Sequence, residues 1–133
     1  MRFLLDTSTC VFVLRGHAGT TERLRATAGP DIAVSVMSVA ELWVGVRKSR
    51  ESEVREVGLQ RFLAPLTILP FDAAAADRYV EARCALEAEG RPIGERDLII
   101  AATALSHGLP VVTNNTRAFG RVPGLRVEDW SRP

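Results

Sequence analysis

The sequence predicts a single α/β domain in which a short, mostly parallel β-sheet lies between two layers of helices, a three-layer α/β/α sandwich. The apolar runs are short and continuous, as in strands that are buried on both faces. These runs alternate with helical patterns, which is typical of parallel strands joined by crossover helices. A chain of 133 residues, 47% hydrophobic and 25% charged, has the size and composition of one compact domain. We therefore expect one domain over residues 1–133.

Strands are predicted where β-branched and leucine residues form short runs that end at polar residues, glycine or proline. These runs lie at residues 3–5, 32–36, 66–69 and 111–113, with a further edge strand at 125–127. Helices are predicted at an apolar turn near residues 11–14 and at residues 20–27, 38–48, 51–63, 73–89 and 95–107. Gly90 and Pro92 close the alanine-rich helix, and Gly108 and Pro110 close the last one, as is usual beyond helix C-termini.

Four polar residues fall where a parallel sheet leaves its ligand-binding crevice, at the carboxyl ends of its strands. Asp6 and Asn115 follow predicted strands, and Glu41 and Asp97 lie in the early turns of helices that are otherwise apolar. Three converging carboxylates would raise one another's pKa unless a cation neutralised them. Oxygen ligands suit Mg²⁺, with Mn²⁺ as a substitute, whereas His and Cys lack the spacing of a zinc site. The pattern predicts a divalent metal site.

Each of these four residues also has a purely structural explanation. Asp6 is placed to cap the following helix, and Ser38 and Glu41 have the spacing of a capping box. Asp97 in a first turn is stabilised by the helix dipole, and Asn115 suits a turn or a cap. The site hypothesis therefore depends on all four positions together.

Composition, charge and the absence of particular motif residues exclude several other classes of protein. A net charge of +1 gives no global attraction to nucleic acid or membrane. The apolar runs are too short for a membrane span, and Asp6 interrupts the region where a signal peptide would be apolar, so we expect a cytoplasmic protein. A receiver domain requires a lysine near the last strand, but the one lysine is Lys48. A haloacid-type phosphatase requires Asp-x-Asp, but position 8 is serine.

Four segments in order along nearly the whole chain resemble the PIN-domain family, in particular its VapC-type toxin endoribonucleases. They are Phe-Leu-Leu-Asp-Thr-Ser at residues 3–8, Ser-Val-Ala-Glu-Leu at 38–42, Ile-Gly-x-x-Asp-x-x-Ile-Ala-Ala at 93–102 and Val-Thr-Asn-Asn-Thr-Arg-x-Phe at 112–119. Asp6, Glu41 and Asp97 match the acidic metal-binding positions of that family. The fourth position is frequently Asp in the family and is Asn115 here, which removes one charge.

The resemblance implies a PIN-like fold and a metal-dependent endoribonuclease that hydrolyses structured RNA, tRNA or rRNA, as the toxin of a type II toxin–antitoxin pair. It further implies a VapB-type antitoxin as partner, a homodimer and a larger toxin–antitoxin assembly. The alternative is a catalytically weak PIN-like module that binds RNA or protein, in which Asn115 marks the loss of activity.

Around the acidic positions, the sequence offers hydroxyl groups and arginines. We expect Thr7, Ser38 and Thr113 to orient the carboxylates or the phosphate. Arginine suits phosphate geometry, and the candidates that flank the last two motifs are Arg91, Arg96, Arg117 and Arg121. The alternative is that each of these is an ordinary solvated surface arginine.

Overall fold

A five-stranded, wholly parallel sheet forms the centre of the molecule in the computed structural model, which describes residues 1–27 and 29–133. The strands are β1 (Phe3–Leu5), β2 (Ile32–Ser35), β3 (Thr67–Leu69), β4 (Val111–Val112) and β5 (Val127–Glu128). They lie in the order β3-β2-β1-β4-β5, and each neighbouring pair is parallel. The parallel α/β class predicted from the short apolar runs is confirmed.

Helices cover both faces of this sheet. In the described ranges they are α1 (Thr7–Leu14), α2 (Ala18–Arg25), α3 (Val36–Lys48), α4 (Ser52–Leu63), α5 (Ala73–Ala88), α6 (Glu95–Ser106) and α7 (Thr116–Phe119), with a 3₁₀ turn at Gly29–Asp31. The core on one face is built from α5, α6 and α7, and the core on the other face from α1, α3 and α4. This arrangement is the predicted three-layer sandwich.

The two cores are separated by the alternation of side chains along each strand. Leu4 and Val111 contact the α5–α6 core, whereas Leu5 and Val112, the next residues, contact the α1–α3–α4 core. All four are fully buried. Because successive residues of a strand point to opposite faces, a strand of two or three apolar residues contributes to both cores.

Glycine ends α6 where the sequence predicts. Gly108 has a φ of 65°, a left-handed conformation that favours glycine. Its neighbour Leu109 donates its backbone N–H to the Ala104 carbonyl at 2.9 Å, which satisfies one of the last carbonyls of the helix. The chain can then turn directly into β4.

Several helix boundaries differ from the prediction, and at two helix starts the difference follows from the residue that caps the helix. The β2 strand ends at Ser35 and α3 begins at Val36, since the Ser35 hydroxyl accepts the Met37 N–H at 3.0 Å. Similarly, α2 begins at Ala18 because His17 Nδ1 accepts the Thr20 N–H at 3.2 Å.

Among residues 1–27 and 29–133, every helix is too short or too polar to span a lipid bilayer.

Candidate active site

Polar side chains from four parts of the chain lie at the carboxyl edge of the central strands. Asp6 directly follows β1 and Thr113 directly follows β4, and these two strands are neighbours in the sheet. Helix α3 begins at the end of β2 and contributes Glu41, while the first turn of α6 contributes Asp97. The parallel topology thus brings residues that are distant in sequence to one edge of the sheet.

Asp6 is the most deeply placed acid, with 3% of its surface exposed. Its carboxylate accepts the Thr9 N–H at 2.8 Å, the Ser8 hydroxyl at 2.8 Å and the Thr113 hydroxyl. Burial raises the pKa of Asp6, and the hydrogen bonds from Thr113, Thr9 and Ser8 offset only part of that rise. Asp6 is also the N-cap of α1, so the structural explanation for this residue holds together with its position in the site.

Glu41 is held by a hydroxyl pair and an arginine. The Thr7 hydroxyl donates to Glu41 Oε1 at 2.7 Å, and the Ser38 hydroxyl lies 3.0 Å from Thr7 Oγ1. Because a hydroxyl has one proton and a carboxylate only accepts, the Thr7 proton belongs to Glu41 and Ser38 donates to Thr7. The other carboxylate oxygen, Oε2, accepts from Arg96 Nη1 at 3.3 Å.

The capping-box explanation for Glu41 is wrong. Ser35, not Ser38, is the N-cap of α3, so Ser38 already lies inside the first turn and is fully buried. Its hydroxyl faces Thr7 of α1. Glu41 therefore serves no capping role, and its contacts are with α1 and α6.

Asp97 shares an electrostatic environment with the other two acids. It is half-buried in the first turn of α6. Burial raises the pKa of Asp97, and the negative charges of Asp6 and Glu41 raise it further. As placed, however, no three His, Cys, Asp or Glu side chains of residues 1–27 and 29–133 form a ready-made set of ligands around one point. The three acids are thus coupled in charge without being assembled into a closed cage.

Asn115 is connected to Asp6 through Thr113. The Asn115 backbone N–H donates to Thr113 Oγ1 at 2.8 Å, and the Thr113 hydroxyl donates to Asp6. Asn115 is the N-cap residue of α7, yet its side chain makes no capping hydrogen bond and is exposed. The structure therefore leaves the amide side chain free at the same edge of the sheet.

The four candidate arginines differ in their surroundings. Arg96 forms an ion pair with Glu41 inside the site. Arg121 donates from Nη1 to the Pro92 carbonyl at 3.3 Å, and its Nε is buried without a partner in the described residues, so part of this guanidinium supports the loop before α6. Arg91 and Arg117 are exposed.

The sequence interpretation missed the role of Ser8 and the partner of Arg96. Ser8 Oγ lies 2.9 and 2.8 Å from the two carboxylate oxygens of Asp6, so its single proton is shared between them. The spacing Asp-x-Ser could have indicated this contact, since short polar side chains commonly bond to groups two residues away. Nothing in the sequence indicates the Arg96–Glu41 pair, which joins residues 55 positions apart.

A groove extends from this site between α1, α3 and α4, with a volume of about 610 Å³. It begins at Thr7 and Glu41 and continues along apolar residues of α4. Val54 and Leu14 line it with 73% and 41% of their surfaces exposed. Its lining includes Val11, Leu42, Gly45, Val46, Arg55, Gly58 and Leu59. Glu41 of the site and exposed apolar residues of α4 therefore line the same groove, together with the charged residues Arg15, Glu51 and Arg55.

The comparisons with known proteins all indicate the same family. The PIN domain model matches residues 3–125. The chain is 40% identical over 132 residues to the tRNA(fMet)-specific endonuclease VapC of Shigella flexneri, covering 98% of this chain and 99% of the relative. It is 37% identical over 134 residues to Ribonuclease VapC2 of Rickettsia felis, covering 99% and 100%.

A solved structure agrees with these sequence relatives. The crystal structure of DNA-bound VapBC from Salmonella typhimurium matches with a TM-score of 0.92 and 37% sequence identity, over 98% of both chains. Fold, sequence and the order of the polar motifs lead to the same conclusion. This chain belongs to the PIN domain family, among its VapC-type members.

Proposed function

We propose that the chain is a metal-dependent endoribonuclease that hydrolyses phosphodiester bonds of structured RNA, and that tRNA is its substrate class. The observation that carries the proposal is that Asp6, Glu41 and Asp97, distant in sequence, lie at the carboxyl edge of the central strands, close enough for the charges of Asp6 and Glu41 to raise the pKa of Asp97. Carboxylates placed this near one another are costly unless they serve to bind a cation. The relatives named as ribonucleases, one of them specific for a tRNA, support the reaction and the substrate class.

The donor set fits a hard divalent cation. Asp6, Glu41 and Asp97 offer carboxylate oxygens, and Asn115 can add an amide oxygen. Mg²⁺, with Mn²⁺ as a substitute, is the ion that such a set suits. When bound, the ion would supply positive charge for the phosphate in the transition state and would favour ionisation of the attacking water.

The chain's own residues hold the acids in place. Thr113 and Ser8 donate to Asp6, which orients its carboxylate and offsets part of the rise in pKa that burial causes. Thr7, supported by Ser38, orients the carboxylate of Glu41. Because these donors are fixed by α1, α3 and the end of β4, the acids cannot reorient freely when RNA binds.

Water is the nucleophile that the site favours. The hydroxyls of Thr7, Ser8 and Thr113 are already donors to carboxylates. Cys10 is fully buried, and burial together with the charge of Asp6 raises the pKa of its thiol far above its ordinary value. A thiolate is therefore disfavoured at this position, and hydrolysis requires no covalent intermediate on the protein.

Arg91, Arg96, Arg117 and Arg121 are the proposed contacts to RNA phosphates. With a net charge of +1, the chain has no overall field to attract RNA, so local arginines must supply the affinity. Arg91 and Arg117 are exposed and available. Arg121 also supports the loop before α6, and Arg96 contacts Glu41.

Cleavage of RNA by the purified chain tests this proposal. We expect cleavage of tRNA with Mg²⁺ or Mn²⁺ and none with EDTA. Asp97→Asn should lower the rate by at least ~100-fold, because it removes one of the acids that hold the ion. Asp77→Asn, at an exposed acid of α5, removes the same charge away from the site and should cleave like the wild type.

Two results would contradict the nuclease proposal. The first is equal cleavage by the wild type and Asp97→Asn. The second is the absence of cleavage of any RNA with any divalent ion by folded wild-type protein. That second result would favour the alternative, a PIN-like module that binds RNA or protein without cutting it.

The proposed biological role is that of a toxin paired with a VapB-type antitoxin. The matching structure from Salmonella typhimurium is a VapBC complex. Glu41 lines the apolar groove between α1, α3 and α4, so a segment bound there would also cover this acid. We further propose that the chain forms homodimers and larger assemblies with the antitoxin in the cytoplasm, which light scattering of the free and bound protein would measure.

A further inference from the structure

Arg96 is a surface arginine that is adjacent to one site acid, Asp97, in the sequence and contacts another, Glu41, in space. It directly precedes Asp97 in the first turn of α6. Its side chain is 73% exposed, yet its Nη1 lies 3.3 Å from Glu41 Oε2, and the Glu41 side chain is only 21% exposed. A positive charge of the chain itself therefore lies against one of the three site acids.

This ion pair gives each carboxylate oxygen of Glu41 a donor. Thr7 donates to Oε1 and Arg96 donates to Oε2. The described residues contain no closed set of metal ligands in this arrangement. Each oxygen keeps a second lone pair, but an ion shared by Glu41, Asp6 and Asp97 would approach Glu41 against the guanidinium charge, so Arg96 and the ion compete for this carboxylate.

We propose that Arg96 is an internal cation that holds Glu41 in the metal-free protein and that a divalent ion must displace it to fill the site. Arg96 then weakens metal binding and sets the metal concentration at which the site becomes occupied. This inference rests on the proposed function, since it requires that the three acids bind a divalent ion. Arg96 acts here as a positioning residue for Glu41.

The ion pair between Arg96 and Glu41 is weak enough for a divalent ion to displace Arg96. The guanidinium is mostly in water, so the ion pair is screened and a doubly charged ion held by three carboxylates can replace it. In contrast, Thr7 is a neutral donor and does not oppose a cation. An arginine stays protonated at every pH of interest, so this competition does not fade near neutral pH as it would with a histidine.

Titration of the metal-free protein with Mn²⁺, with free Mn²⁺ measured by electron paramagnetic resonance, tests the competition without any cleavage. Arg96→Ala should bind Mn²⁺ about three- to tenfold more tightly than the wild type, because an ion pair and a repulsive charge are both removed. The matched control is Arg78→Ala on α5, which removes an exposed arginine paired with Glu81 at 3.7 Å, beside the far end of α6. This control should bind Mn²⁺ like the wild type.

A double variant shows whether Arg96 acts through Glu41. In a Glu41→Gln background, the gain in Mn²⁺ affinity from Arg96→Ala should fall to about twofold or less, because the ion pair is already gone and only the screened repulsion of one exposed charge is left to remove. An equal gain in both backgrounds would show that Arg96 acts only through its general charge and would overturn the inference.

The outcomes separate this inference from the metal site itself. If the wild type binds Mn²⁺ and Arg96→Ala binds it equally or more weakly, the competition is wrong and the metal site stands. A gain of the same size in Arg78→Ala would also overturn the competition. If the folded wild type binds no Mn²⁺, the proposed metal site fails and this inference fails with it.

Discussion

Asp97 carries an electrostatic cost that the metal-free protein must bear. Burial and the charges of Asp6 and Glu41 raise its pKa above the ordinary value of 3.8. The folded state therefore holds the Asp97 proton to a higher pH than the unfolded state does. The cost is absent below pH 3.8, grows as the pH rises through the raised pKa of the folded state, and reaches its full size only above that pKa.

Asp97→Asn should consequently raise the melting temperature of the metal-free protein. We expect a gain of roughly 1–3 °C in EDTA at neutral pH, kept small by the lost attraction between the carboxylate and the N-terminus of α6. The gain should shrink at about pH 5, where more of the wild-type Asp97 is protonated. Calorimetry at both pH values measures the difference. A wild type that melts above the variant in neutral EDTA would show that the Asp97 charge carries no such cost.

Thr113 is predicted to stabilise the ionised form of Asp6. It is fully buried, donates to Asp6 and accepts the Asn115 N–H at 2.8 Å. Thr113→Val keeps the shape and removes the hydroxyl, so we expect a loss of about 1.5–3 kcal/mol in the free energy of unfolding. The loss should be larger at neutral than at acid pH, because this hydrogen bond lowers the pKa of Asp6.

A second buried threonine provides the control for this variant. Thr103 is also fully buried, but its hydroxyl donates to the Ile99 carbonyl at 2.9 Å within α6. Thr103→Val should cost only about 0.5–1.5 kcal/mol, with no dependence on pH. Urea denaturation of both variants at two pH values tests the difference, and equal, pH-independent losses would show that Thr113 has no special relation to Asp6.

At the residue scale, the positions of the acids could be predicted and their partners could not. Asp6 directly follows an apolar run, so the carboxyl-edge rule for parallel sheets places it without any coordinates. The Arg96–Glu41 pair depends on how a long side chain of α6 crosses to α3, which is a result of tertiary packing. The capping box expected from Ser38 and Glu41 does not form because Ser35, three residues before Ser38, caps α3 instead.

At the scale of the elements, periodicity predicts which segments are helices and strands better than where they end. Val36 continues an apolar, β-branched run, which favours a β2 strand that includes it, but the chain already turns at Ser35. Ser35 ends β2 and caps α3, so the residues around it fit both a strand pattern and a helix pattern. By contrast, the end of α6 is predicted correctly, because Gly108 and Pro110 both favour a helix stop there.

The groove between α1, α3 and α4 leads to a prediction about the antitoxin. Val54 is 73% exposed and lines the groove, so Val54→Glu places a charge where an apolar segment would bind. We expect at least ~10-fold weaker binding of the cognate antitoxin, with RNA cleavage unchanged. Val57 lies on the same helix, 47% exposed and outside the groove lining, so Val57→Glu is the matched control. Equal affinities of Val54→Glu and the wild type for the antitoxin would show that the antitoxin binds another surface.

At the scale of the whole molecule, one topological feature creates the site. Five parallel strands in the order β3-β2-β1-β4-β5 place the ends of β1, β2 and β4 side by side, and the helices that follow them begin at the same edge. The sequence predicts the parallel sheet, because short apolar runs alternate with helices, but it does not predict the order of the strands. The exact distance between the acids is set by helix starts such as Ser35, and no pattern in the sequence gives it.

The proposed chemistry requires that Asp6, Glu41 and Asp97 hold one divalent ion together. Anomalous diffraction from crystals grown with Mn²⁺ measures this directly, because it locates the ion independently of the protein atoms. We predict one strong anomalous peak at the carboxyl edge of β1, with oxygens of all three acids within ligand distance and Arg96 turned away from Glu41. A peak bound by only one of these acids, or no peak at this edge in Mn²⁺-saturated crystals, would contradict a shared metal site.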